Sequence, residues 1–227
     1  TNLGNNPITI QYASDGSNFS EVATTEDNDG TYTWTIPSDN VATAKIKIIA
    51  TDLAGNTSED SSDNAFLVDS TAPTVEAGTF ANSIKVATAP TGASASDGGS
   101  GIDTVLWESV STPTGGVLLF SDSSSISSTL AGSNADGTYE ARVTVTDAVG
   151  NVTTDTVSFI WDTTAPTAPT ILTPTDSGLF VAGNGTYEIT WTASTDTNLG
   201  NNPITIQYAS DGSTFSVDVA TAEANDG

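Results

Sequence analysis

Hydrophobic and polar residues alternate with period two over much of the chain. Thr138–Asp147 (TYEARVTVTD) places Tyr139, Ala141, Val143 and Val145 on one face and polar groups on the other. Ala44–Asp52 places Ile46 and Ile48 on one face, with Lys45 and Lys47 between the apolar positions. Pro203–Tyr208 (PITIQY) repeats the pattern ahead of the turn Ser210-Asp211-Gly212-Ser213. Alternation bounded by Asp-Gly, Asn-Gly and Pro predicts antiparallel sheets with one wet face, and no stretch carries the 3.6-residue period of an amphipathic helix. Trp34, Trp107, Trp161 and Trp191 each fall within a strand pattern, which predicts buried core rather than sugar-stacking platforms.

Residues 1–20 return at 197–216 with one difference, Asn18 against Thr214, so the chain repeats itself after 196 residues. A repeat this long describes a string of whole domains. Two shorter signals punctuate it. The turn Thr-Asp-x-x-Gly-Asn occurs at Thr51–Asn56 and Thr146–Asn151. The linker Asp-x-Thr-Ala-Pro occurs at Asp69–Pro73 and Asp162–Pro166. A strand of about ten residues is predicted between turn and linker in each case. Proline fixes φ, so the linkers are short and semi-rigid. Cutting there gives the later part of one unit at 1–72, a complete unit at 73–166, and the early part of another copy of the first type at 167–227.

Composition sharpens this picture. Twenty Asp and eight Glu face four basic residues, Lys45, Lys47, Lys85 and Arg142, for a net charge of −24. Such a field repels nucleic acid and anionic bilayers, so neither is expected as a partner. The preference for Asp over Glu suits turns and oxygen-lined cation loops. There is no His, Cys or Met. No His or Cys is therefore at hand as base or nucleophile; paired carboxylates could run glycoside hydrolysis, but no aromatic-lined cleft is signalled between them, and no enzyme is expected.

The TDxxGN turn, the strand after it and the DxTAP linker resemble the tandem bacterial immunoglobulin-like repeats of large surface adhesins. The 73–166 unit, with SASDGGSGIDTVLWESV and DGTYEARVTVTDAVGN, is also similar to the polycystic-kidney-disease type of sandwich. The other unit, with YEITWTAS, ITIQYASDGSTFS and DGTYTWTIP, looks closer to fibronectin type III. The resemblance implies an all-β fold of tandem immunoglobulin-like antiparallel sandwiches and an extracellular, cell-surface stalk of a bacterium, often with calcium at the junctions. Its partners would be the neighbouring repeats of the same chain, with head-to-tail self-association a further expectation. Two alternatives are a carbohydrate-binding accessory module of an extracellular hydrolase and a strand-sharing fibre subunit.

In such a sandwich the B–C loop, the F–G loop and the chain entry share one pole. For the 73–166 unit these are Ser96–Asp103, Asp147–Asn151 and the linker with Asp69. Converging carboxylates repel unless a cation sits among them, which makes Asp69, Asp97, Asp103, Asp147 and Asn151 a candidate calcium set. The next junction gathers Asp162, Asp196 and Asn198, while Asp52 and Asn56 are the equivalents in the first unit. Each Asp alone is also an ordinary Asx turn. Gly98–Leu106 matches one nonapeptide of a calcium-binding β-roll, but one copy cannot bury a core. Asp27-Asn-Asp-Gly30 opens no EF-hand, because the twelfth position is Ser38.

Overall fold

The computed structural model describes residues 2–175, 183 and 185–225. No helix occurs among them, and the described residues form sixteen strands in antiparallel sheets. The first group is β1 (Leu3–Ala13), β2 (Ser20–Glu26), β3 (Asn40–Asp52), β4 (Thr57–Ser61) and β5 (Phe66–Asp69). The second is β6 (Thr74–Glu76), β7 (Ser94–Ser96), β8 (Ile102–Ser111), β9 (Val117–Phe120), β10 (Leu130–Ser133), β11 (Gly137–Asp147) and β12 (Val152–Trp161). The third is β13 (Ile171–Thr173), β14 (Thr190–Trp191), β15 (Ile204–Tyr208) and β16 (Val217–Glu223).

Residues 74–161 form a two-layer β-sandwich. One layer has the order β12-β11-β8. The other is built from β6-β7 and β10-β9, joined through an antiparallel bridge between Thr88 and Leu130. A parallel bridge from Ile84 to Trp161 closes one side. The alternation read at 138–147 holds: Tyr139, Ala141, Val143 and Val145 are all fully buried. They pack with Trp107, Leu130, Val157, Phe159 and Trp161. The Tyr139 ring stacks on Phe159, and its hydroxyl donates to the Ala135 and Ser133 carbonyls at 2.7 and 3.1 Å. Gly132 is required beside it, because a Cβ there would lie 2.7 Å from the Tyr139 ring and 2.6 Å from Trp161.

Residues 3–69 form one sheet, β2-β1-β3-β4, with β5 also on β3. Where β12 runs unbroken for ten residues, the predicted strand between turn and linker here breaks into β4 and β5. The polar stretch between them, Ser62–Ala65, turns the chain, with the Ser62 N–H donating to the Ile46 carbonyl. Three residues, Tyr12, Ala44 and Val68, are buried in its core cluster, against eleven in that of the sandwich. Ile46 packs partly on this cluster, whereas Ile48, expected beside it, is 47% exposed. Trp34 and Trp191, expected to be buried, are only half-buried, whereas Trp107 and Trp161 are buried.

The duplicated segment folds the same way twice. In β1–β2, Ile8, Ile10, Gln11 and Tyr12 pair with Glu26, Ala23, Glu21 and Ser20. In β15–β16, Ile204, Ile206, Gln207 and Tyr208 pair with Glu223, Ala220, Asp218 and Val217, with bulges at the same places. Yet Tyr12 is 8% exposed and Tyr208 56%. Only β1 has β3 on its other edge.

Candidate metal centre at the module junction

The TDxxGN turns are held by their aspartates. The Asp147 Oδ1 accepts N–H donors of Val149, Gly150 and Asn151 at 3.0, 2.8 and 2.8 Å, and its Oδ2 accepts the Asn151 Nδ2 at 2.8 Å. Asp52 repeats this with Ala54 N, Asn56 N and Asn56 Nδ2 at 2.9, 2.8 and 2.8 Å. Asp97 closes the 97–101 loop, its Oδ2 accepting from Gly99 N and Gly101 N at 3.0 and 2.7 Å. These are Asx turns, and they account for each residue taken singly.

They do not account for the convergence. Asp69, Asp97 and Asp147 each bring a carboxylate oxygen within 4.8 Å of the others. Asp69 comes from the linker strand, and its Oδ2 accepts the Ser100 N–H at 2.6 Å. Asn151 ties the turn to the linker, donating its Nδ2 to the Asp69 and Thr71 carbonyls at 3.1 and 3.4 Å. The close approach needs Gly99, because a Cβ there would overlap the Asp69 carboxylate. Asp147 is 1% exposed. The Asp97 Oδ1 and Ser100 Oγ are buried with no hydrogen-bond partner. Three of the four basic side chains are engaged elsewhere: Lys45 at the Asp63 carbonyl, Lys47 with Glu59 and Arg142 with Glu108. Clustered carboxylates with unpartnered buried oxygens and no adjoining cation of their own suit a hard, oxygen-seeking ion.

Burial pushes the Asp147 carboxyl up, but the Asn151 side chain and the Asn151, Val149 and Gly150 N–H groups outweigh it and hold the group below the usual range. Asp69 is lowered by the Ser100 and Thr71 donors. A lowered folded value contributes stability above the ordinary carboxylate value of about 3.9, lost as pH falls through the folded value. The Asp147 side-chain carbonyl signal in a metal-free NMR titration is therefore expected to stay that of a carboxylate as pH falls through the ordinary value of about 3.9. Protonation at that ordinary value would contradict this.

Asp103 does not join the group. It lies in β8 at the register shift between Ile102, the partner of Asp147, and Thr104, and is exposed, with its carboxylate outside the group of three. At the second junction Asn198 links the other two predicted residues. It donates Nδ2 to Asp162 Oδ2 at 3.0 Å and its N–H to Asp196 Oδ1 at 2.7 Å, in a cleft of about 360 Å³. Asp52 belongs to no group of three carboxylates among the described residues.

Asp136 had not been singled out from the sequence. Its two oxygens accept the N–H and Oγ1 of both Thr163 and Thr164, holding the stretch after β12 against the start of β11. Asn40 does the same at the first linker, accepting the Ser70 N–H at 2.8 Å. The signal was there: both residues stand where the strand leading into a TDxxGN turn begins.

No protein-family model matches the chain, and no curated protein matches it.

Proposed function

We propose that the chain is a stretch of tandem immunoglobulin-like repeats from the extracellular stalk of a bacterial surface adhesin, with calcium at its domain junctions. The role is structural rather than catalytic. The observation that carries the reading is the duplication at 196 residues in register with repeated linkers, since a stalk lengthens by copying whole units. Within 74–161 the layers β6-β7-β10-β9 and β8-β11-β12 correspond to the A-B-E-D and C-F-G order of a constant-type immunoglobulin sandwich. Trp107 takes the place of the buried tryptophan on strand C, and Tyr139 that of the tyrosine corner, two residues ahead of Ala141 where antibody domains carry a cysteine. Burial of Trp107 and Trp161 speaks against the carbohydrate-binding alternative, which needs exposed rings.

Calcium would be held by Asp69, Asp97 and Asp147, with Asp97 Oδ1 offering a free acceptor and loop carbonyls completing six to eight oxygens. Bridging linker and loops, the ion would stiffen the joint and offset the repulsion among the acids. Asn40 and Asp136 would hold each linker from the preceding side, so the joint is clamped at both ends.

Calcium added to the metal-free chain is expected to raise the melting temperature of the sandwich, by about 2.7 kcal/mol of stabilisation at a hundred times the dissociation constant. Asp69→Ala or Asp147→Ala should remove most of that gain, whereas Asp122→Ala, whose carboxylate only closes its own turn on Ser124, should keep it. An unchanged melt at millimolar calcium would defeat the proposal.

A further inference from the structure

Asp155 breaks the pattern of its strand. The inward positions of β12 run Thr153, Asp155, Val157, Phe159 and Trp161, of which the last three are buried in the core. The residue paired with Asp155 on β11 is the fully buried Val143. Alternation calls for an apolar side chain in that place, and the carboxylate takes part in neither ion pair of the described residues. Its Oδ1 accepts the N–H of its neighbour Thr156 at 2.8 Å, and its Oδ2 accepts the N–H of Ala77 at 2.8 Å. Ala77 is fully buried and follows β6 in the opposite layer. Asp155 thus reaches between the layers and satisfies an N–H that would otherwise be buried unpaired.

This contact is one of three that tie the run by which the chain enters the sandwich, residues 69–84, to β12. Ahead of it, Asn151 donates Nδ2 to the Asp69 and Thr71 carbonyls. Beyond it, the Ile84 N–H donates to the Ile160 carbonyl at 2.9 Å, and the Asp162 N–H to the Ile84 carbonyl at 3.0 Å. The ties advance together along both runs, 69–71 with 151, 77 with 155 and 84 with 160–162, so the two lie parallel. The chain therefore enters beside the start of β12 and leaves from its end. A pull on the two linkers drags the entering run toward one pole and β12 toward the other. The ties lie across that pull and share it at once, instead of opening one after another as a hairpin unzips.

We propose that Asp155 is a tension-bearing tie: by holding Ala77, its carboxylate passes force along the chain from the entering run into β12 and spares the packed layers. A side chain is needed because the entering run spends its own ladder on the other layer, at Thr74–Glu76 with β7 and at Thr79 with Thr91. That this serves a stalk under drag rests on the function proposed above, but the tie itself requires no metal.

Pulling the whole chain in chelator tests it. The chain has no cysteine, so Ala72→Cys with Ala165→Cys, both at exposed positions, supplies the attachment points. They leave the Asn151 tie outside the tension and place it on the other two. Asp155→Val removes the acceptor and puts a strand-favouring side chain beside Val143 and Val157. Its lifetime under constant tension is expected to fall about tenfold, the factor for one hydrogen bond to a charged group lost ahead of the barrier. Asp155→Asn, which keeps an acceptor oxygen, should stay near the parent. Attachment through Thr114→Cys and Ala148→Cys instead runs the tension through β9, β10 and β11 without crossing the ties, and there the Val variant should match the parent. Amide exchange without load should show Ala77 protected in the parent and the Asn variant and unprotected in the Val variant. Equal lifetimes of parent and Val variant along the first pair overturn the proposal. So does shortening of one size along both pairs, which would make Asp155 a residue of general stability. The parent alone supplies a further check: ties that share a pull part within about 3 Å, the length of one hydrogen bond, so its lifetime should change shallowly with force. A steep change along the first pair, the mark of serial opening, also overturns it. Loss of the calcium response would leave these lifetimes unchanged, and their failure would leave that response intact, so the two readings fail separately.

Discussion

Replacing Trp107 with alanine is expected to cost the 74–161 sandwich about 3–5 kcal/mol, the range for emptying a tryptophan-sized site in a packed core. Trp107 is 2% exposed, stacks on Phe120 at 6.4 Å between centroids, and donates its Nε1 to the Ser125 carbonyl at 3.0 Å. The substitution therefore opens a cavity and strands a carbonyl in one step. A domain whose whole stability is roughly 5–15 kcal/mol does not absorb this easily. No disulfide is available in a chain without cysteine, so the layers depend on this packing and on a few hydrogen bonds between them. The melting temperature should fall by on the order of 15–30 °C. Trp107→Phe, which keeps most of the volume, should lose much less. Trp34→Ala in residues 3–69 should also cost less, because that ring is only half-buried. Calorimetry on the three variants checks the order, and a Trp107→Ala melt close to the parent's would mean the core is not organised around this residue.

A second large effect is expected from one methyl group at the junction. Gly98→Ala and Gly99→Ala are neighbouring, chemically identical changes, and neither glycine has the positive φ that would itself demand glycine. At Gly98 a Cβ meets nothing within 4 Å, whereas at Gly99 it overlaps the Asp69 carboxylate. The Gly99 variant must push Asp69 away, breaking its hydrogen bond from Ser100 N and drawing one carboxylate out of the group of three. Displacing a group that positions a metal ligand typically costs ten- to a hundredfold in affinity, and here a ligand itself moves. Gly99→Ala is thus expected to lose about tenfold or more in calcium affinity by isothermal titration, and Gly98→Ala to stay near the parent. Equal behaviour of the two would remove Asp69 from the site.

Much of the candidate site could be read along the chain because its pieces are local. The Asp147 and Asp52 turns repeat one short pattern, and the carboxylate of each closes on N–H groups two to four residues ahead. Their likeness in space follows directly from their likeness in sequence. Asp103 shows the limit of that reasoning. Six residues from Asp97 and within one loop on paper, it lies in β8, and only the pairing with β11 fixes where loop ends and strand begins. Asp136 shows the opposite case. Its place at the head of the strand leading into a TDxxGN turn is local, but its role appears only when Thr163 and Thr164, some 27 and 28 residues away, arrive beside it. The unpartnered Asp97 Oδ1 likewise depends on what packs over it.

The sequence by itself determined the main strand patterns, the apolar and polar side of each, the Asp-centred turns and the 196-residue period, because each is set by steric and hydrogen-bonding preferences within a few neighbouring residues or by direct self-comparison. It could not determine which of those faces is buried. Twenty nearly identical residues form the same bulged pair in both places, yet Tyr12, on a strand whose other edge carries β3, is 8% exposed and Tyr208 is 56% exposed. Alternation states that a strand has an apolar side. Burial is a property of two surfaces in contact, and the second surface comes from residues far away in the chain.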